Sequence, residues 1–169
     1  MQATRVYLEL TNPEQFRPTH APVQALRVRW LDRARPRQYR AYYRIVGAAY
    51  HWRDRWSWTD AQIAAHLARP EISLYVAALG RRFAGWYELR KVPDDGSVEI
   101  AYFGLAPRAI GRGLGKELLN CAVRDAWALG ATRVWLHTSS LDHPHALPNY
   151  RARGFAAYRT ETYALDSPA

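Results

Sequence analysis

The chain has 169 residues, 49% of them hydrophobic, with seven tryptophans and eleven tyrosines, enough for one packed domain and too apolar for a disordered chain. No stretch reaches the apolar length of a membrane span, and the single cysteine, Cys121, excludes an internal disulfide. The net charge of +9 and pI near 10.0 suit an anionic partner such as nucleic acid, an acidic membrane surface or a phosphorylated ligand.

Codon bias gives the same excess of charge. All but Lys91 and Lys116 of the 24 basic residues are arginines, scattered along the chain and never gathered in a run. The opening MQATRVYLELTNPEQF has no basic-then-apolar signal pattern, so the expected compartment is cytoplasmic, with no membrane partner.

Val6 to Leu10 alternates weakly as a short strand, and Asn12 to Pro22, with three prolines, reads as loop. Leu26 to Trp30 alternates cleanly. Pro36 suits the first turn of a helix that carries Tyr39, Tyr42, Tyr43, Val46 and Tyr50 at helical spacing. After the aromatic and basic run from His51 to Trp58, Thr59 and Gln62 form a capping-box pattern. Trp58 and Ile63 stand where a hydrophobic staple belongs, and Pro70 ends this second helix.

The period then changes to two. Ile72 to Leu79 and Arg82 to Arg90 form a hairpin about Gly80-Arg81, and the turn at Pro93 to Gly96 leads into a third antiparallel strand, Val98 to Leu105. A helix with Gly111, Gly113 and Gly115 crowding its start carries Leu114, Leu118, Leu119, Ala122, Val123 and Ala126 as an apolar stripe, and Gly130 ends it. Cys121 beside that stripe reads as a small core residue. Arg133 to Thr138 is another strand, Pro144 to Arg153 a short helix, and Phe155 to Tyr163 a last strand. This order predicts one α+β domain over residues 1–169, a mixed, mostly antiparallel sheet flanked by helices. Its core is expected from about residue 26 to 163, with 1–25 as an N-terminal strand and loop.

Each glycine costs a helix about 1 kcal/mol relative to alanine, so three at one helix start need a reason. A helix N-terminus presents unpaired N–H groups and the positive end of the helix dipole, and glycines let a diphosphate approach them without meeting a Cβ. Arg112 and Lys116 add charge there. The Gly-Lys-Ser/Thr ending of a nucleoside-triphosphate loop is absent, because Glu117 follows Lys116. A dinucleotide fingerprint needs a parallel βαβ opening, whereas this loop follows an antiparallel meander.

The stretch from Val98 to Leu119, VEIAYFGLAPRAIGRGLGKELL, resembles the acetyl-CoA-binding motif of the GNAT N-acetyltransferase superfamily, and PNYRARGF from Pro148 to Phe155 resembles its later Tyr-x-x-x-Gly-Phe signature. The order of elements matches the GNAT fold from about Leu26 to Tyr163. The resemblance implies acetyl-CoA as cofactor, held by the loop Ile110, Gly111, Arg112, Gly113, Leu114, Gly115 and Lys116. It also implies that the preceding strand splays from its neighbour and pairs with pantetheine through the backbone of Phe103, Gly104 and Leu105. Ile110 departs from the family's usual Gln or Arg at the head of the loop, a place that Arg108 takes in a shifted register. His143 stands in the register of a cofactor-contacting asparagine; the alternative is that His143 or Asp142 lines the acceptor side.

The implied chemistry is direct attack of a primary amine, on a small molecule or a peptide, on the thioester. The resemblance assigns Glu99 as general base, directly or through water, and Tyr150 as general acid. The competing readings are a glutamate paired with an arginine and a tyrosine packed on the sheet. In strict alternation Glu99 shares its face with Ala101 and Phe103. Trp52, Arg53, Arg55 and Trp56, in the segment that borders the acceptor site of this fold, are candidates for cation–π and carboxylate contacts to the acceptor. A metal centre is not expected, since the histidines of LDHPH at Leu141 to His145, with His137 nearby, lack ligand spacing. Two other functions compete with the enzyme: a basic nucleic-acid-binding module, disfavoured because no binding signature appears, and a GNAT-like sensor that binds CoA without turnover. Family members often dimerise, which leaves a homodimer open, and no strand edge in the sequence identifies an interface.

Overall fold

The computed structural model describes residues 2–19 and 26–165. Strands β1 (Gln2–Leu10) and β2 (Leu26–Trp30) precede helices α1 (Pro36–Gly47) and α2 (Asp60–Leu67). Strands β3 (Ile72–Leu79), β4 (Arg82–Lys91) and β5 (Val98–Leu105) follow, then α3 (Leu114–Ala128), β6 (Val134–Ser139), α4 (Ala146–Ala152) and β7 (Ala156–Ala164). The seven strands form one sheet in the order β2-β3-β4-β5-β6-β1-β7. Every pairing is antiparallel except β5 with β6. The mixed, mostly antiparallel α+β architecture is as expected.

Two apolar layers sandwich the sheet. On one face Leu118, Leu119, Ala122, Val123 and Ala126 of α3, with Tyr150 and Phe155, pack on Leu8, Leu10, Tyr87, Leu89, Val98, Ile100, Val134 and Leu136. On the other face Tyr39, Tyr43 and Val46 of α1 and Ile63 of α2 close over Leu74 and Trp86. The capping box of α2 is formed: Thr59 Oγ1 accepts from Gln62 N at 3.2 Å and Gln62 Oε1 accepts from Thr59 N at 2.8 Å. Helix α1 stops at Gly47, short of Tyr50, and a 3-10 turn over Ala48–Tyr50 continues to His51 in the left-handed region; the Trp52 ring packs where a Cβ on Gly47 would project.

Three sequence expectations change. First, the core does not begin at residue 26. β1 lies inside the sheet between β6 and β7, with Leu8 and Leu10 fully buried. Its first residues carry no apolar alternation, so only the stretch from Val6 read as strand. Of the loop expected from Asn12 to Pro22, residues 20–22 lie outside the described residues.

Second, β5 does not alternate evenly. Leu89 pairs with Ile100 but Glu88 pairs with Tyr102, so Ala101 is an extra, bulged residue. The bulge swaps faces: Glu99 and Tyr102 share the α1/α2 side with Trp86, Glu88 and Arg90, while Phe103 and Leu105 join Val98 and Ile100 beneath α3. Glu99 therefore does not share its face with Phe103.

Third, α3 begins at Leu114, so only Gly115 lies in its first turn. Gly111 and Gly113 precede it at φ +80° and +74°, in the left-handed region that glycine enters at little cost.

Gly154 after α4 is tightly enclosed. It stands at φ +97°, and a Cβ there would overlap the carbonyl oxygen of Gln15, beside the bond in which Arg17 N donates to the Arg153 carbonyl. Gly154→Ala is expected to destabilise the fold by roughly 2–3 kcal/mol, seen as a melting temperature lowered by about 4–12 °C.

Candidate active site

The parallel pairing of β5 with β6 is short. Among the described residues it consists of Val98 with Val134 and Glu99 with Trp135. Beyond Glu99 the strands part, while β5 keeps its full pairing with β4 as far as Leu105. The backbone groups of β5 that face β6 past this point have no strand to pair with, and unpaired N–H and C=O groups in a protein interior require a partner. A cleft of about 1820 Å3 opens there. That exceeds the roughly 300–1,000 Å3 of one small-molecule site and leaves room for two ligands.

Of the expected cofactor residues, Phe103, Gly104, Leu105, Ile110, Gly111, Gly113, Leu114, Gly115, Lys116 and His143 all line this cleft, and Arg112 does not. Local geometry explains the glycines. The amides of the first turn of α3 have no intrahelical partners, and the left-handed Gly111 and Gly113 bring the loop to them. A Cβ on Gly115 would meet only Leu105, at 3.7 Å. Gly104 serves a different need, since a Cβ there would strike Val46 of α1. A bare, cationic helix start beside an unpaired strand edge fits a ligand with a diphosphate at one end and amides along its length.

Tyr150 and Glu99, the expected acid and base, both line the cleft. Tyr150 of α4 is 7% exposed and packs edge-on to Phe103, with centroids 6.1 Å apart. Burial, with the nearby charge of Asp142, pushes its hydroxyl well above the ordinary tyrosine value and keeps the proton on it. Glu99 is 6% exposed. Its Oε2 accepts from Arg90 Nε at 2.7 Å and lies 2.6 Å from Arg90 Nη2, the arginine directly across the β4–β5 ladder. The arginine pairing that competed with the base role is thus present, and it occupies one carboxylate oxygen.

The acceptor candidates divide. Trp52, Arg53, Arg55 and Asp142 line the cleft, whereas Trp56 does not; its ring packs with Arg44 and Arg53. Arg55 does grip a carboxylate, but an internal one. It reaches Glu88 Oε2 at 2.8 Å, lies 4.4 Å from the Tyr102 centroid and contacts the Tyr39 hydroxyl. Glu88, fully buried, also meets His66 Nε2 at 3.0 Å and accepts from the Tyr39 hydroxyl at 2.9 Å. This network pins the segment after α1 to β4. Asp142 Oδ2 is taken up by Thr138 Oγ1 at 2.7 Å and Ser139 N at 2.8 Å. His143 Nδ1 accepts from His145 N at 3.2 Å, and its ring stands 6.1 Å from that of Tyr50.

Sequence reasoning missed Arg90, Asp54, Arg5 and the place of His137, all on the cleft wall. The turn at Pro93 to Gly96 held a signal for Arg90, because it sets Lys91 opposite Val98 and so Arg90 opposite Glu99. Nothing local signalled Arg5, which enters only because β1 lies beside β6.

The acetyltransferase (GNAT) family profile matches residues 28–155. The chain belongs to the GNAT acetyltransferase family. It is 31% identical over 127 residues to a mycothiol acetyltransferase of Pseudarthrobacter chlorophenolicus, covering 70% of this chain and 39% of that one. It is 29% identical over 125 residues to one from Mycobacteroides abscessus, covering 70% and 42%. The chain therefore spans about two-fifths of the length of these relatives. Among solved structures, a GCN5-related N-acetyltransferase from Kribbella flavida superposes with a TM-score of 0.65 at 18% identity, over 94% of this chain and 56% of that one. A Bacillus subtilis acetyltransferase in complex with CoA gives 0.58 at 22% identity, over 78% and 77%. An aminoglycoside acetyltransferase from an uncultured soil metagenomic sample, in complex with sisomicin, gives 0.62 at 15% identity, over 76% and 86%. These structures share the GNAT fold, and the cofactor of the GNAT family is acetyl-CoA. Among the described residues no helix is long and apolar enough to cross a membrane.

Two predictions come from this geometry. Gly115→Val adds a side chain to the amide cradle at an ordinary helical φ, whereas any residue at Gly113 meets positive-φ strain. The variant should melt as the wild type does and lose at least tenfold in acetyl-CoA affinity by calorimetry. For Glu88, burial opposes the charge, but the His66 hydrogen bond and the Arg55 charge and hydrogen bond outweigh it and hold the carboxyl below its usual range. A depressed folded-state pKa stabilises above the unfolded value, near 4.3, and that contribution is lost as pH falls toward the folded value. Glu88→Gln should lower stability at neutral pH by about 3–5 kcal/mol and flatten the acid dependence of urea unfolding.

Proposed function

We propose that this protein is an acetyl-CoA-dependent N-acetyltransferase that acts on a primary amine by direct attack on the thioester. The observation that carries the reading is the cleft at the β5–β6 divergence, which joins the glycine-led amide cradle to Glu99 and Tyr150. Bound acetyl-CoA supplies an acetyl group activated as a thioester. In the binding mode we propose, the Gly111–Lys116 loop, with Arg112 at its edge, cradles the diphosphate and the β5 backbone from Phe103 to Leu105 pairs with the pantetheine amides. His143 contacts the same ligand from the far wall.

An alkylamine with a pKa near 10.4 is about 3.4 units above neutrality, so freeing its lone pair costs roughly 4.6 kcal/mol. Glu99 provides the negative charge that drives this deprotonation, acting as general base directly or through an intermediary, with Oε2 held by Arg90. Tyr150, kept protonated by burial, gives its proton to the departing thiolate. Trp52, Arg53 and Asp142 line the acceptor end, while Arg55 shapes it from below by holding Glu88. Relatives named mycothiol acetyltransferase and a neighbour named aminoglycoside acetyltransferase support a small-molecule acceptor, and a peptide amine remains the alternative. The dispersed basic charge gives no independent support to a nucleic-acid module.

Calorimetric titration with acetyl-CoA, with ATP and NAD as controls, tests the cofactor; selective heat is expected, and none at several temperatures overturns the reading. Thiol release is then followed with tyramine, cadaverine, glucosamine and a free-amine alanine peptide. Binding without turnover of any of them overturns the transferase step and leaves a CoA sensor. Tyr150→Phe should lower kcat by about 10²-fold or more with unchanged affinity for acetyl-CoA.

A further inference from the structure

We propose that Glu99 acts through His137: the imidazole of His137 takes the acceptor's proton, and the Glu99 carboxylate stabilises the imidazolium that results. The inference rests on the acetyltransferase reading and names the intermediary through which its base works.

The position of His137 follows from topology. Glu99 and Trp135 form the last pair before β5 and β6 part. On a strand, residues two apart share a face, so His137 is the next β6 side chain on the side of Glu99 and the first inside the opening. It lines the cleft with Glu99, Tyr150 and Gly104. Its ring leans on Tyr7 of β1, with centroids 5.5 Å apart, and among the described residues neither ring nitrogen has a hydrogen-bond partner. The residue is solvent-exposed on the cleft wall.

The charges around the ring come from every neighbouring element. Glu99 of β5, Asp142 of the β6–α4 loop and Asp54 of the segment between α1 and α2 favour the imidazolium; Arg5 of β1 opposes it. Desolvation is the largest influence and opposes it too, so His137 titrates below the ordinary histidine value. The ring is therefore neutral near pH 7, with a lone pair available, and three carboxylates stand ready to receive the charge when it forms. Glu99 is less free to act alone, since its Oε2 is bonded to Arg90.

The step balances. An N–H proton of the acceptor's ammonium passes to a ring nitrogen of His137, and the freed lone pair forms the C–N bond to the thioester carbon. The C–S bond breaks and the sulfur takes the Tyr150 proton. The second amine proton lost as the amide forms restores the Tyr150 hydroxyl through water, and His137 releases its own proton to solvent.

The test begins with 15N NMR titration of the histidine rings in CoA-saturated protein from about pH 5 to 8, with the His137 signals identified by their absence in His137→Gln. His137 is expected to titrate below about 6.5, and Glu99→Gln should move it lower still, because removing the carboxylate removes an attraction for the imidazolium. A His137 that titrates above that value, or is indifferent to Glu99→Gln, overturns the proposal whatever the acceptor.

The second readout is the pH profile of kcat/KM with whichever of tyramine, cadaverine, glucosamine or the alanine peptide is turned over. Wild type should show an acid limb at the His137 value and then a plateau. His137→Gln should fall by 10²- to 10⁴-fold and rise log-linearly toward the pKa of the amine, with acetyl-CoA affinity unchanged. An unaltered limb in His137→Gln overturns the relay and leaves the transferase reading standing, whereas absent acetyl-CoA binding overturns the transferase reading itself.

Discussion

Two parallel strands that pair for only two residues and then separate leave one edge of β5 without a partner in the middle of the sheet. Backbone polar groups seldom stay unpaired inside a protein. Phe103 and Tyr150 pack edge-on on the wall of the opening, and the Ala101 bulge interrupts the β4–β5 ladder just past the last shared pair. A single geometric decision thus creates an unpaired strand edge, a cleft along it and an apex that Glu99 and His137 both line. The loop at the far end of β5 places a positively polarised helix start at the other limit of the same groove.

The bulge decides which chemistry reaches the apex. Without it, strict alternation would put Glu99 and Phe103 on one face and Tyr102 on the other. With Ala101 extruded, Glu99 and Tyr102 look toward α1 and α2, where Arg90, Glu88 and Arg55 already stand. Glu88 is buried and fully partnered, so it serves as an anchor for the acceptor-side segment through Arg55 and His66. Glu99, one strand over, keeps an oxygen that Arg90 does not occupy. The two carboxylates differ in role because of what each neighbouring strand and helix offers them.

Elements with local signals were legible in the sequence. Thr59 with Gln62 capped α2 as its pattern required, Gly130 ended α3, and the period of two marked β3 to β5. The glycine loop ahead of α3 was legible for the same reason, since its glycines and its helix are contiguous in the chain. The conformation of Gly111 and Gly113 was not, because a helix with glycines in its first turn and a loop with glycines before it share one sequence. The acceptor wall was mostly illegible. Arg5 and Tyr7 come from the first strand, and only long-range pairing places them beside Ser139 and His137. The face of Glu99 depended on one extruded residue, and period-two reasoning contains no term for that.

The arginine excess gains a structural meaning from this layout. Arg5, Arg40, Arg55, Arg90, Arg124, Arg133 and Arg159 all lie in ion pairs within the fold. Arg5, Arg55, Arg133 and Arg159 also sit over tyrosine rings, a contact that the planar guanidinium makes well. These arginines are thereby tied to aromatic and acidic neighbours. Arg5, Arg53 and Arg90 line the cleft together with Asp54, Glu99 and Asp142. A surface of mixed sign attracts neither pure anions nor pure cations over distance. In the mechanism we propose, selection among amines at such a site falls to short-range fit around the apex, where the position of a nitrogen relative to Glu99 and His137 decides whether its proton can leave.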